Sequence, residues 1–146
     1  MAYSGFFKPQ NPQKYKGNPT NIIYRSFWEF GYMRRLDKDK DVLEWSSEEL
    51  AIPYISPIDN RHHRYYPDFL VTRINSKGIK ETVLIEIKPY KETMPPGAQG
   101  NKKKKQYLYE VMTWGKNEAK WKAARNFCKD RGWKFEILTE RELGKK

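Results

Sequence analysis

The strongest periodic signal in the chain is a two-residue alternation of apolar and polar positions on either side of residue 76. Residues 65–73 and 80–88 are rich in β-branched and aromatic side chains, and Asn75, Ser76, Lys77 and Gly78 between them are turn formers. The pattern predicts a β-hairpin. Side chains alternate faces along a strand, so Val83, Ile85 and Ile87 share one side while Glu86 and Lys88 share the other. The first strand sorts the same way, with Phe69 and Val71 apolar on one face and Asp68 on the opposite one. One face is expected to be core, and the solvated one to carry Asp68, Glu86 and Lys88.

Around the hairpin the pattern changes period. Ser26-Phe27-Trp28-Glu29 has the Ser-x-x-Glu spacing of a capping box and opens a helix to about Asp37. Residues 42–45 and 50–55 read as short strands, the second an edge or strand end because of Pro53, and 56–60 is a turn. Glu48 and Glu49, between those strands, read as solvated. Beyond the hairpin, Tyr107, Val111 and Trp114 keep helical spacing. Asn117 reads as the N-cap of a further helix with a Trp121, Ala124 and Cys128 stripe, stopped by Gly132. Residues 134–139 alternate as a last strand, and 140–146 form a polar tail. The order helix, three strands, helix, strand predicts an α/β (α+β) fold with an αβββαβ core, a central mixed sheet flanked by helices. Residues 1–20, broken by Pro9, Pro12 and Pro19, read as a basic and aromatic arm before a single domain of 21–146. Its lysines and its rings, Tyr3, Phe6, Phe7 and Tyr15, suit either a phosphate backbone or packing on the domain itself.

Charge narrows the partner. Lys and Arg number 29 against 18 Asp and Glu, a net charge of +11, which points to a polyanion and to nucleic acid before membrane. No apolar run is long enough to span a bilayer and the N-terminus lacks a signal peptide's apolar core, so a soluble, intracellular protein without a membrane partner is expected. Cys128 alone excludes an internal disulfide and a cysteine-based zinc site, and reads as packing. The 61–64 run Arg-His-His-Arg is a weak metal site, because neighbouring strand residues point apart and no third histidine exists. Arg61, His63 and Arg64 are read instead as phosphate contacts. Lys102, Lys103, Lys104 and Lys105, after a Pro- and Gly-broken loop, lie where a DNA backbone would pass, and Lys122, Arg125 and Lys129 share a second basic face.

Two carboxylates and a lysine on one sheet face suit a hard divalent cation, since Mg²⁺ takes one or two carboxylates and fills its sphere with water and phosphate oxygens. The plain alternative is a cross-strand ion pair. Pro67-Asp68 followed by Glu86-Ile87-Lys88 resembles the PD...(D/E)xK signature of the restriction-endonuclease-like nuclease superfamily, whose core has the αβββαβ order. The opening MAYSGFFKPQNPQKYKGNPT, then YRSFWE, SSEELAIPYISP, RYYPDF, IEIKP, KWKAA and KFEILTE together resemble the head completion nucleases of T4-like tailed bacteriophages. The end of the chain is also similar to the TnsA catalytic domain. The resemblance implies a Mg²⁺-dependent nuclease, with Mn²⁺ substituting, that acts on packaged double-stranded DNA in the host cytoplasm before tail joining. It implies phage head or neck proteins as partners and no nucleotide cofactor. Asp68, Glu86 and Lys88 match the catalytic motif, and the Ile87 carbonyl is a candidate metal ligand. Glu29 matches the acid that such nucleases add from the first helix, although the capping box also explains it. Two other readings stay open: a non-catalytic DNA-binding protein of the virion neck, and a resolvase or transposition endonuclease.

Overall fold

The computed structural model describes residues 4–144. The chain runs β1 (Gly5–Phe7), β2 (Ile22–Tyr24), α1 (Phe27–Lys38), β3 (Val42–Ser47), β4 (Ile52–Ile55), β5 (His62–Tyr65), β6 (Phe69–Ile74), β7 (Lys80–Ile87), α2 (Lys104–Arg131), β8 (Lys134–Leu138) and α3 (Glu140–Leu143). The central sheet has the order β3-β6-β7-β8, antiparallel through β7, with β8 parallel to it. A parallel pair needs a long crossover, and α2 supplies it. The expected αβββαβ order is present as α1, β3, β6, β7, α2 and β8.

Three expected elements differ. The strand expected over 50–55 is not in the central sheet: β4 pairs with β5 as a separate hairpin. The strand expected over 65–73 is divided, because Pro67 has no N–H for a ladder, so Tyr65 pairs with Ile52 and β6 starts at Phe69. The two helices expected around Asn117 are one helix of 28 residues. Asn117 is buried within it and caps nothing, whereas Gly132 ends it in the left-handed conformation at φ 70°, as its sequence position predicts.

Both sheet faces are covered. Val71, Val83 and Ile85 pack with Met33 and Leu36 of α1 and with Trp45. Leu84, on the face expected to be solvated, packs with Ile52, Tyr54, Tyr65, Trp121, Ala124 and Cys128. Toward the strand end this face turns acidic at Glu86, and toward the hairpin turn it carries the hydrogen-bonded Thr72 and Thr82. The segment expected as an arm is laid on the domain. β1 pairs with β2, Phe7 and Tyr15 are buried, and the buried Asp37 carboxylate accepts the amides of Gln10 and Asn11 at 2.8 and 3.0 Å. Those bonds give an otherwise costly buried charge its partners. Tyr3 lies outside the described residues, as do positions 145 and 146 of the expected tail, whose first four residues form α3 behind a Thr139 capping box.

Candidate active site

The hairpin register pairs Phe69 with Ile85, and one step further it sets Asp68 opposite Glu86. Each carboxylate is held by a neighbour. Asp68 Oδ2 accepts the Ile87 amide at 2.7 Å, and Glu86 Oε1 accepts the Tyr65 hydroxyl at 2.6 Å. Lys88 Nζ lies 3.8 Å from Glu86 Oε2. Burial pushes Asp68 well above the ordinary carboxylate range, and the charge of Glu86 pushes it further. Burial also raises Glu86, against the opposing pull of the Tyr65 hydrogen bond and then of Lys88 and Lys120. Tyr65 stays protonated and donating, because burial and Glu86 drive its pKa far up. The two acids are therefore desolvated and hold their protons more readily than exposed carboxyls do, which an added cation would reverse.

The second cation near the pair is Lys120, which the sequence reading did not single out. It stands on the α2 face toward the site, with its ammonium 5.6 Å from the centre of the Tyr65 ring and 6.0 Å from that of Tyr54. Burial lowers its pKa, as do Lys116 and Lys88, while Glu86 opposes them. Its signal was the i, i+4 pair Lys116 and Lys120, legible only if the helix runs through Asn117.

Glu29 has both of the features expected of it, in altered form. Ser26 Oγ accepts the Glu29 amide at 3.1 Å, but Glu29 Oε1 accepts the amide of Arg25 at 3.0 Å rather than that of Ser26. Burial raises the Glu29 carboxyl, and its charge is felt at both Asp68 and Glu86. Glu48 is also near. Its backbone N–H donates to the Asp68 carbonyl at 3.1 Å, its φ of 54° is the left-handed region that side chains disfavour, and its carboxylate takes Arg25 Nε at 3.0 Å. The Arg25–Glu48 pair thus stands beside Asp68, a placement the solvated reading of Glu48 missed.

Among the described residues no three acidic, histidine or cysteine side chains converge into a ready-made metal cage. Among the described residues Asp68 Oδ1 and Glu86 Oε2 nevertheless accept no hydrogen bond, Glu86 Oε2 having only the Lys88 ammonium at 3.8 Å, and the two acids repel each other. This donor set fits Mg²⁺, which needs one or two carboxylates and completes its shell with water and phosphate. Glu29 adds charge to that environment without joining a cluster. The Ile87 amide is the group that holds Asp68.

The expected DNA contacts divide. Lys103, Lys104 and Lys105 are exposed at the start of α2, but Lys102 is paired with Glu110 at 2.7 Å. Arg61 and Arg64 are exposed, whereas His63 Nε2 is taken by Asp59 at 2.8 Å. At about 100° per residue, Lys122, Arg125 and Lys129 fall on the side of α2 turned away from Lys120. Arg125 lies over the Phe135 ring. The structure does not bring those three to the carboxylate pair.

Residues 39–140 match the family described as TnsA-like endonuclease N terminal. The chain is also similar to the "Head completion nuclease" of Enterobacteria phage T4, with 42% identity over 143 residues, covering 96% of this chain and 93% of the relative. The matched span runs from before β3 to the start of α3 and so contains Asp68, Glu86, Lys88 and Lys120. The hairpin carboxylates, the parallel β8 and the α2 crossover all fall within that match, and the chain belongs to the TnsA-like endonuclease family.

Proposed function

We propose that this protein is a metal-dependent deoxyribonuclease that hydrolyses phosphodiester bonds of double-stranded DNA at Asp68 and Glu86, and that it serves head completion alongside phage head or neck proteins. The observation that carries the chemistry is the cross-strand pair of carboxylates, Asp68 and Glu86, flanked by Lys88 and Lys120. Burying like charges is costly, and a protein that merely held DNA would gain nothing by it. The relative's name supports the biological setting.

Asp68 and Glu86 would hold Mg²⁺, or Mn²⁺ in its place, with Glu29 adding negative charge. When bound, such an ion lowers the pKa of its water and polarises the scissile phosphate. The chain's own groups do the rest. The Ile87 amide and the Tyr65 hydroxyl fix the two carboxylates, so little reorganisation is needed when DNA arrives. Lys88 orients the attacking water or neutralises charge on the phosphate oxygens. Lys120 reaches the same phosphate from α2 and offsets the negative charge that grows as the bond to the leaving oxygen breaks. Digestion of linear and supercoiled DNA with Mg²⁺, and again with excess EDTA, tests this reading. Cleavage only in the first is expected; undiminished cleavage in EDTA would contradict it.

A further inference from the structure

The chain that follows β7 does not lie flat on α2. A cleft of about 540 Å³ opens between them, within the roughly 300–1,000 Å³ range of small-ligand sites. Pro95 and Pro96 stand on the loop side, and Tyr109 and Trp114 on the helix side. Trp114 is braced edge-on against the buried Trp121, with ring centres 5.9 Å apart.

Two observations say what the cleft takes. Asn117 lines it and is only 6% exposed, and its carboxamide, which bonds to no group among the described residues, is open to the cleft rather than sealed in the core. An amide that offers one acceptor and two donors to the cleft suits an occupant with complementary polar edges. The charged groups of the lining balance, Lys91 and Lys102 against Glu92 and Glu110, and Lys102 is already paired with Glu110. A phosphate would find no net positive charge here. A neutral, planar group with hydrogen-bonding edges suits the cleft, and a nucleobase is such a group.

Location ties the cleft to the carboxylate pair. Asn117 precedes Lys120 by three residues, about 4.5 Å along the helix axis and on a neighbouring face. The loop wall begins at Lys91, three residues beyond Lys88. We propose that this cleft receives an unpaired nucleobase of the DNA strand cut at Asp68 and Glu86, so that the preferred substrate carries a frayed, mismatched or single-stranded nucleotide beside the cut. The inference rests on the nuclease reading above. An unpaired base enters at little cost, whereas a paired one must first be unstacked.

The test is binding of three duplexes by the full chain, with Ca²⁺ replacing Mg²⁺ to keep the strands intact. One duplex carries a single unpaired 2-aminopurine, one is fully paired, and one has an abasic residue at the unpaired position. Wild-type protein should bind the first about tenfold tighter than the other two, and the 2-aminopurine emission should fall on binding. Asn117→Leu should remove that advantage, and so should Tyr109→Ala, whose exposed side chain makes it the informative variant if the buried substitution unfolds the protein. Equal affinity of wild type for all three duplexes would overturn the inference, as would an advantage that both variants retain. Failure to bind any duplex would instead overturn the nuclease reading on which it rests.

Discussion

At the scale of single residues, the site depends on small sets of hydrogen bonds that hold charges water would otherwise stabilise. Lys120 acts by charge instead: its ammonium is felt at Glu86 and lies over the Tyr65 ring, it makes no hydrogen bond among the described residues, and a methionine would fill the same space. Lys120→Met should therefore leave the melting temperature nearly unchanged and reduce cleavage on the order of 100-fold, with Lys120→Arg recovering part of it. A methionine variant with wild-type turnover would reduce Lys120 to a surface cation. Glu29 poses the opposite question, since its bond to the Arg25 amide is a sufficient structural reason for its presence. Glutamine keeps that bond, so Glu29→Gln should fold normally. If its charge supports the ion, cleavage at limiting Mg²⁺ should fall at least about tenfold and recover as Mg²⁺ is raised. Full activity at limiting Mg²⁺ would return Glu29 to the helix end alone.

At the scale of elements, the hairpin is pinned differently at its two ends. Near the turn, Glu81 takes Arg73 Nε at 2.9 Å, Lys134 Nζ at 2.9 Å and the side-chain Nδ2 of Asn75 at 3.1 Å, which ties β6, β7 and β8 together. Lys134, then Asn75 and Arg73, hold its pKa down at about 2. A carboxylate with a depressed folded pKa stabilises the protein above its ordinary pKa, about 4.5, and loses that contribution as pH falls toward 2. Thermal melts should show stability dropping through this window, and Glu81→Gln should flatten the drop; an unchanged profile would mean that solvent screens these contacts. At the other end of the hairpin stand Asp68 and Glu86. That end was legible in the sequence because a strand's period of two separates Asp68 and Glu86 from Phe69 and Ile85 without knowledge of the rest of the fold. What hid the remainder was long-range packing. Alternation cannot reveal that α2 and the β4–β5 hairpin cover Leu84. Local propensity put a helix start at Asn117, whereas burial of Asn117, Trp121 and Ala124 carries the helix through, and with that break the approach of Lys120 was lost.

At the scale of the whole molecule, basic charge and the acidic site have separate duties. A net charge of +11 on 146 residues draws the protein to a polyanion irrespective of sequence. Under the proposed function, the exposed Arg61 and Arg64 and the lysines at the start of α2 would supply that attraction, while any charge on Asp68 and Glu86 would oppose it locally. The proposed function puts cleavage at those two hairpin residues and spreads affinity over the basic surface. The direct measurement is DNA cleavage and DNA binding on the same preparations of wild type, Asp68→Ala and Glu86→Ala, with Mg²⁺ present. Both variants should remain folded, since each substitution removes a buried charge that repels its neighbour. They should bind DNA within a few-fold of wild type while cleavage falls by about 10³-fold or more. Variants that still cut DNA, or that lose binding and cleavage in parallel, would contradict the account.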